Sequence, residues 1–483
     1  MSDMDAGWTS RHARRWAGAL GAVVLATASL VYAETPALPP EVRQALQRAR
    51  VPESALAGVI EEAGSGRPLL SAKARESVNP ASLAKLLTTY AALDQLGPAW
   101  AWRTPVWLDG PVRDGVLDGA LVIQGRGDPT LVLERVWLLL QRVRQLGVRE
   151  IRGDIVLDRG AFALPAHAPG AFDGEPLRPY NVGPDALPLN YKSVVYGFVP
   201  DPAGGRARVT QEPRLDGAPA SLEVPLSAGP CSDWRGALKA SFGPEGARFA
   251  GVYPAACGPL NWPVADPDPD SYNARLLTAL WRDLGGSLTG RVRDGTAPTD
   301  RAPDLEAVSP PLAEVVRDIN KYSNNLMAQQ LFLSLALAEG TPATPERARL
   351  AMAAWLTNRL GAELAAGVRL DNGAGLSRET RASAAALARL LQQAWGSPVM
   401  SELMSSLPVA GLDGTMRRSR AGDGRAHLKT GSLRDVAGVA GYVLSDSGRR
   451  YVLVAILNHD NAQAARPALD ALVRWARADG AAR

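Results

Sequence analysis

The chain has 483 residues, of which 46% are hydrophobic and 21% charged, so its composition excludes wholesale disorder and supplies ample material for a core. This length predicts about two to three domains. Lys and Arg number 53 against 49 Asp and Glu, and the formal charge of +4 does not indicate a nucleic-acid-binding protein.

The first 33 residues have the pattern of a secretory signal peptide. Arg11, Arg14 and Arg15 precede an apolar run over residues 16–33, which closes on the small residue Ala33. An uncleaved membrane anchor is the alternative, since 18 residues almost span a bilayer. The small residues in the run and the proline-rich stretch after it favour cleavage, and no later segment is long and apolar enough to cross a membrane.

The cysteine and histidine contents bear on bridges and metals. Cys231 and Cys257 are the only cysteines. In an oxidising compartment we expect one disulfide between them, closing a short loop worth on the order of 3 kcal/mol, and two separate buried thiols are the alternative. The histidines, at positions 12, 167, 427 and 459, show no zinc-binding spacing, so no metal site is predicted.

The segment after the signal peptide predicts a short amphipathic helix over residues 40–50. Residues 55–62 and 68–73 predict a β-hairpin around Gly64-Ser-Gly66. A strongly helix-forming run follows from Ser82 and ends at the breaker pair Gly97-Pro98.

Ser82-Leu-Ala-Lys85 stands at the start of that helix. Three residues of spacing place Ser82 and Lys85 on one helix face, close enough for the hydroxyl and the amine to form a hydrogen bond. The neighbours of Lys85 are mostly apolar, so we expect desolvation to lower its pKa and make it a base at neutral pH. An N-cap serine beside a surface lysine is the alternative, and partners elsewhere in the chain decide between the two.

Residues 100–300 have a different texture, with short strands and many Pro and Gly residues. Strands are predicted at 104–108 and 116–124, and a helix at 131–146 leads into a turn and strand at 147–158. A helix at 274–284 followed by 285–293 repeats that pattern weakly, as if both units formed the base of one inserted domain. Further short strands are predicted at 192–199, 206–211, 221–225 and 248–253, with Cys231 and Cys257 bracing their sheet.

From about residue 308 helical periodicity returns. Helices are predicted at 312–319, 326–338, 346–360, 383–395 and 465–478, with a loop at 371–378. Three strands, at 426–429, 436–445 and 451–458, are joined by tight turns and suit antiparallel pairing.

Two further motifs lie in this part. Tyr322-Ser-Asn-Asn325 falls in the turn between two helices, where plain N-capping is the alternative interpretation. Lys429-Thr-Gly-Ser432 falls at the end of a strand, where Gly431 permits close approach of a bound molecule and Lys429 and Thr430 suit a carboxylate. A charged edge strand that avoids aggregation is the alternative there.

In the order Ser-x-x-Lys, Ser-x-Asn, Lys-Thr-Gly, the motifs resemble the signature of the penicillin-recognising serine acyltransferases. The interval of 241 residues from Ser82 to Ser323 is similar to that of the class C low-molecular-mass penicillin-binding proteins, the D-alanyl-D-alanine carboxypeptidase/endopeptidases. Gln329, where we expect a glutamate, is a departure outside the three motifs. Phrases that also resemble this family are Gly125-Arg-Gly-Asp-Pro129, Asn320-Lys-Tyr-Ser-Asn-Asn325, Gly375-Leu-Ser-Arg378, Leu407-Pro-Val-Ala-Gly-Leu-Asp-Gly-Thr415 and His427-Leu-Lys-Thr-Gly-Ser432.

The resemblance implies an α+β fold: a penicillin-recognising serine transpeptidase/β-lactamase-like domain, with an antiparallel sheet flanked by helices, and a large α+β insertion. The predicted divisions are a signal peptide at 1–33, a catalytic domain at 34–99 and 300–483, and an inserted region at 100–299 made of two subdomains.

The resemblance also implies a periplasmic serine D,D-peptidase that acts on peptidoglycan stem peptides, is acylated by β-lactams, and needs no metal or cofactor. Ser82 would be the nucleophile and Lys85 its base, with oxyanion donors at the backbone N–H groups of Ser82 and Ser432. The remaining roles are proton relay by Ser323 and Lys429, substrate amide binding by Asn325, carboxylate binding by Thr430, Gly431 and Ser432, and lining of the cleft by Arg378.

Two alternatives stay open from sequence. A β-lactamase or esterase of the same superfamily is disfavoured because the second motif is Ser-x-Asn, not Tyr-x-Asn, and because a compact lactamase has no insertion of this size. A catalytically idle wall-binding protein is disfavoured because every motif residue is present. Neither the balance of carboxypeptidase and endopeptidase activity nor the oligomeric state follows from the sequence.

Overall fold

The computed structural model describes residues 38–337, 341–419, 421 and 423–481. The predicted signal peptide and its cleavage point lie outside the described residues. The α-helices are α1 (Pro40–Arg48), α2 (Ala84–Leu96), α3 (Leu133–Gln145), α4 (Trp234–Ala237), α5 (Tyr272–Asp283), α6 (Leu312–Tyr322), α7 (Asn325–Ser334), α8 (Pro345–Leu360), α9 (Ala362–Ala366), α10 (Ala384–Trp395), α11 (Met400–Ser406) and α12 (Arg466–Arg477).

The strands alternate with these helices and with short 3-10 turns. They are β1 (Leu56–Glu62), β2 (Pro68–Ala72), β3 (Ser77–Val78), β4 (Arg103–Asp109), β5 (Val112–Arg113), β6 (Val116–Leu117), β7 (Ala120–Gln124), β8 (Glu150–Ile151), β9 (Ile155–Asp158), β10 (Ser193–Asp201), β11 (Arg206–Glu212), β12 (Glu223–Ser227), β13 (Ala240–Gly243), β14 (Gly246–Phe249), β15 (Tyr253–Pro254), β16 (Leu260–Ala265), β17 (Ser287–Leu288), β18 (Val292–Asp294), β19 (Leu305–Val308), β20 (Ala382–Ser383), β21 (Ala426–Leu433), β22 (Val436–Leu444) and β23 (Arg450–Asn458).

A five-stranded antiparallel sheet carries the third motif and supports the first. Its strand order is β2-β1-β23-β22-β21, so the motif strand β21 lies at one edge. Leu56 and Ile60 of β1 are buried in a core shared with α1 and α12. Because side chains alternate along a strand, the buried Ala57 and Val59 face the other side, and α10 packs on β1 and β23. The sheet is therefore flanked by helices, and the predicted α+β fold class is confirmed.

The segment from β4 to β19 forms separate sheets. Two of them, ordered β18-β9-β7-β4-β19 and β17-β8-β6-β5, join the two helix–glycine–strand units, because β17 pairs parallel with β8 and β18 with β9. A third sheet has the order β15-β12-β11-β10-β16. A disulfide joins Cys231, between β12 and α4, to Cys257, which follows β15. The division into a catalytic domain at 34–99 and 300–483 and an inserted region at 100–299 stays a prediction.

The structure differs from the sequence interpretation in some local details. Residues 248–253 are not one strand: β14 pairs with β13, whereas β15 pairs with β12. Gly251 lies at the bend between them, and a Cβ atom there would lie 2.0 Å from the carbonyl oxygen of Ala237. Strand β21 continues through the Lys-Thr-Gly motif, because Gly431 and Ser432 pair with the small residues Gly438 and Ala437 of β22.

No helix in the described residues has the length and hydropathy needed to cross a bilayer.

Candidate active site

Ser82 lies in a 3-10 turn, Ala81–Leu83, that leads directly into α2. Asn79 holds this turn in place. Its side chain accepts a hydrogen bond from the backbone N–H of Ala81 at 2.9 Å and donates one to the carbonyl oxygen of Ser377 at 3.0 Å. Asn458, at the end of β23, bonds both backbone groups of Asn79, each at 2.9 Å. Sequence reasoning missed both asparagines, although Asn79 lies only three residues before Ser82.

Gly375 brings the loop at residues 371–378 against the nucleophile turn. Its φ angle is +75°, and a Cβ atom there would lie 1.9 Å from the carbonyl oxygen of Ala81. Only glycine permits this backbone conformation and this approach together. The next carbonyl back along the loop, that of Ala374, is thereby placed at the active site.

Lys85 is fully buried, and its amine has three polar neighbours. Its Nζ atom lies 3.1 Å from Ser82 Oγ, 2.7 Å from Asn325 Oδ1 and 2.6 Å from the carbonyl oxygen of Ala374. Burial lowers the pKa of Lys85 well below its usual value, and the nearby charge of Lys429 lowers it further. A neutral amine has two N–H groups, which the two carbonyl oxygens accept, so its lone pair is left for the Ser82 hydroxyl.

The Ser323-Asn324-Asn325 turn both caps a helix and supplies side chains to the site. Ser323 ends α6 in the left-handed conformation, with φ +57°, which turns the chain sharply into α7. Asn324 caps α7 by accepting a hydrogen bond from the N–H of Met327 at 3.1 Å. The capping interpretation therefore holds for Asn324. Ser323 instead bonds Lys429, and Asn325 bonds Lys85.

Lys429 is also fully buried. Its Nζ atom lies 3.0 Å from Ser323 Oγ and 2.9 Å from the carbonyl oxygen of Thr430. Burial lowers the pKa of Lys429 to about 7. The sequence interpretation gave Lys429 two roles, a proton relay with Ser323 and a charge behind a bound carboxylate, and its amine lies on the Ser323 hydroxyl.

Two of the family phrases hold the second and third motifs in register. Lys321 Nζ lies 2.6 Å from Asp413 Oδ2, so α6 is joined to the loop at residues 407–415. A Cβ atom at Gly414 would lie 2.5 Å from the carbonyl oxygen of Lys321, so the loop follows α6 closely. Thr415 Oγ1 lies 2.7 Å from Thr430 Oγ1. The loop thus fixes the side chain of Thr430.

The segment at residues 173–181, from the predicted insertion, reaches the site. Asn325 Nδ2 donates a hydrogen bond to the carbonyl oxygen of Tyr180 at 3.1 Å. Asp173 holds this segment by accepting hydrogen bonds from Tyr180 Oη at 2.9 Å and Asn181 Nδ2 at 2.7 Å. Tyr180, Ser323 and Asn325 line one cavity of about 530 Å³. No signal in the sequence pointed to this backbone contact.

The remaining predicted site residues lie along β21 and at its end. A Cβ atom at Gly431 would lie 2.6 Å from the carbonyl oxygen of Pro80, so this strand lies directly against the nucleophile turn. Ser432 is exposed. Arg378 Nη1 lies 3.1 Å from Asp435 Oδ1 in the turn after β21, and its guanidinium stacks 4.7 Å from the ring centroid of Phe172. The structure thus brings all predicted residues of the three motifs together, with Arg378 beside the end of β21.

Comparison with known proteins places this geometry in context. A model of the "D-Ala-D-Ala carboxypeptidase 3 (S13) family" matches residues 39–479. The chain is 28% identical to a D-alanyl-D-alanine carboxypeptidase of Actinomadura sp. (strain R39) over 422 residues, which cover 82% of this chain and 76% of that protein.

Two solved structures show the same fold. Penicillin binding protein 4 from Haemophilus influenzae superposes with a TM-score of 0.71 at 22% sequence identity, covering 90% of this chain and 99% of that one. A predatory endopeptidase from Bdellovibrio bacteriovorus, acylated by penicillin G, superposes with a TM-score of 0.51 at 16% identity, covering 88% of this chain and 92% of that one.

Proposed function

The chain belongs to the D-Ala-D-Ala carboxypeptidase 3 (S13) family and is a serine-type hydrolase, and from this premise we propose that it cleaves D-alanyl bonds of peptidoglycan stem peptides through an acyl-enzyme on Ser82. The proposal covers removal of a terminal D-alanine and cutting of D-Ala-linked cross-bridges. Export to the periplasm fits this substrate and rests on the signal-peptide pattern at residues 1–33.

The arrangement around Lys85 is the observation that carries the proposal. With its two N–H groups donated to Asn325 Oδ1 and the carbonyl oxygen of Ala374, the amine directs its lone pair at Ser82 Oγ, 3.1 Å away. Lys85 takes the hydroxyl proton as Ser82 Oγ bonds to the carbonyl carbon of the penultimate D-alanine. The backbone N–H groups of Ser82 and Ser432 stabilise the oxyanion.

Collapse of the tetrahedral intermediate breaks the peptide bond. The leaving amine takes a proton from the Ser323 hydroxyl, which is replenished by Lys429 at 3.0 Å. Lys85 then passes the proton it took from Ser82 through Ser323 to Lys429 and is again a neutral amine. Water adds to the ester carbonyl as it gives a proton to Lys85, and the ester bond breaks as Lys85 passes that proton to Ser82 Oγ. Asn325 binds the substrate amide, and Thr430, Gly431 and Ser432 hold the terminal carboxylate along the free edge of β21.

β-Lactams acylate Ser82 in the same way, since opening of the lactam ring forms the same ester. The acylation of the Bdellovibrio endopeptidase by penicillin G supports this part of the proposal. Its fold alone is shared with this chain, so the reaction needs its own test here.

The test is intact-mass spectrometry of the purified protein after incubation with benzylpenicillin, followed by digestion and by an assay of D-alanine release from an N-acylated D-Ala-D-Ala peptide. We expect one adduct on the peptide carrying Ser82, persisting for minutes, and release of D-alanine. Ser82→Ala should abolish both, while Ser65→Ala, in an exposed turn, should change neither.

Each other outcome identifies an alternative. Rapid loss of the adduct with hydrolysis of the drug indicates a β-lactamase. Labelling of Ser82→Ala at another residue contradicts the assignment of the nucleophile. No adduct and no D-alanine release indicates an idle wall-binding protein.

A further inference from the structure

Arg466 lies beside the third motif and has no role in the steps above. It is the first residue of α12, and its Nη2 atom donates a hydrogen bond to Ser432 Oγ at 2.9 Å. Gln463, just before α12, holds this corner by donating to the carbonyl oxygen of Val436 at 2.7 Å. Both Ser432 and Arg466 are exposed, so a bound molecule can reach them.

Comparison of the cationic side chains near β21 indicates that the Arg466 guanidinium suits a substrate carboxylate best. A substrate carboxylate needs a cation, but Lys429 is buried, directs its amine at Ser323, and has a pKa lowered to about 7 by burial. Arg378 is already paired with Asp435 at 3.1 Å. Among the described residues Arg466 has no carboxylate within ion-pair distance, and the acid one helical turn along, Asp470, bonds Ser419 Oγ at 3.3 Å.

We propose that Arg466, together with Ser432, is the binding point for the free carboxylate of the leaving D-amino acid. The inference rests on the proposed function and extends it to substrate specificity. A guanidinium has five N–H donors in a planar fork, so the bond to Ser432 leaves others free for a carboxylate. Thr430 and Ser432 lie on the same face of β21, two residues apart, and with Arg466 they form three neighbouring donors.

The chemistry of this point makes the enzyme selective for a leaving group with a free α-carboxylate. The terminal D-alanine of a stem peptide has one, whereas a substrate amidated at that position has a neutral carboxamide. The amide keeps the scissile bond and every contact at Ser82, so recognition of the carboxylate distinguishes the two substrates, and Arg466 supplies the charge for it.

The experiment compares an N-acylated D-Ala-D-Ala peptide with its C-terminal amide. Arg466→Gln should lower kcat/KM for the free acid roughly 10- to 100-fold, the range of a hydrogen bond to a charged group. It should change kcat/KM for the amide less than about threefold, and Arg466→Lys should recover part of the loss on the acid. Arg474→Gln, two turns along the same exposed helix face, is the matched control and should leave both values unchanged.

A second measurement uses the unaltered enzyme and is independent of how the variants fold. Its preference for the acid over the amide should persist from pH 7 to pH 9, because a guanidinium stays charged over this range. A preference that disappears as Lys429 loses its proton would overturn the proposal and assign the carboxylate to Lys429.

The other outcomes distinguish the possible roles of Arg466 and test the proposed function. Equal losses on acid and amide in Arg466→Gln would show a purely structural role, and no loss on either substrate would show no role. If the unaltered enzyme hydrolyses neither substrate and Ser82 is not acylated, the proposed function itself fails, which is a distinguishable result.

Discussion

Lys85 and Lys429 are both fully buried, and each has its amine on a serine hydroxyl. Water would solvate an ammonium far better than these sites do, so burial favours the neutral amine and lowers the pKa of each lysine. The role proposed for Lys85, a base at neutral pH, requires such a lowered pKa. The same burial means that the folded chain holds protons less readily than the unfolded chain, so the site costs stability.

Lys429→Met is therefore expected to raise the melting temperature at pH 7 while abolishing acylation. Between pH 7 and the ordinary lysine value of 10.5, the unfolded chain keeps a proton that folded Lys429, with its pKa of about 7, has lost. The free energy of unfolding of the wild type accordingly rises with pH across this window, by at most about 1.4 kcal/mol per pH unit. The advantage of the methionine variant is present at pH 7 and shrinks as the pH approaches 10.5.

Thermal unfolding, monitored by circular dichroism at pH 7 and pH 9, checks this difference in melting temperature. Lys73→Met is the control, because Lys73 is exposed and pairs with Glu76 at 3.0 Å. A melting temperature of Lys429→Met below that of the wild type at pH 7 would show that the bond to Ser323 outweighs the desolvation of the amine.

At the scale of elements, the nucleophile turn depends on a glycine in another loop. Gly375→Ala would drive a methyl group into the carbonyl of Ala81, since its Cβ atom would lie 1.9 Å away. Gly361 has a similar φ angle, +79° against +75°, but nothing lies within 4 Å of an added Cβ atom. Both alanines meet the strain of a positive φ angle, on the order of 1–3 kcal/mol, and only one of them also displaces Ser82.

We thus expect Gly361→Ala to lower stability modestly and keep the full rate of penicillin acylation. Gly375→Ala should lower stability more and slow acylation strongly. Stopped-flow or timed mass-spectrometric acylation, with thermal unfolding in parallel, measures both quantities. Equal acylation rates in the two variants would show that the turn tolerates displacement.

Local pattern predicted most elements of the catalytic part. The hairpin at β1 and β2, the helix after Ser82 and the antiparallel strands β21 to β23 follow from periodicity and turn residues, and the three motifs follow from residue type and spacing. The clamp of Asn79 on Asn458 and the left-handed Ser323 did not follow. They depend on which segments meet in space, and such contacts leave no trace in a short window of sequence.

At the scale of the whole molecule, the segment at residues 173–181 belongs by sequence to the long stretch between the first two motifs. Through Tyr180 it supplies the acceptor for Asn325 Nδ2, which leaves Asn325 Oδ1 for Lys85. Because the two contacts use the two ends of one amide, the carbonyl of Tyr180 fixes which end faces Lys85. The stretch therefore contributes to positioning in the site, a role that its sequence did not reveal.

Asp173→Ala tests this role, since it removes the hydrogen bonds to Tyr180 Oη and Asn181 Nδ2 that hold the segment. We expect kcat/KM for D-alanine release to fall roughly tenfold or more, because a positioning group is loosened, with little change in melting temperature at this exposed segment. Asp201→Ala is the matched control, because the exposed Asp201 side chain accepts a hydrogen bond from the N–H of Gly204 in its own turn. Equal kinetics in the two variants would contradict the positioning role.

The sheet that supports the nucleophile also sets an order of events in biosynthesis. Leu56, near the beginning of the described chain, pairs with Leu457, near its end. Because synthesis runs from the N-terminus, the growing polypeptide contains Ser82 and Lys85 long before β21 and β23 are made to complete the sheet and its edge. Such pairing between distant residues folds slowly. A chain that stops before Lys429 lacks that residue and strand β21, so under the proposed function its peptidase activity arises only after this part has been made.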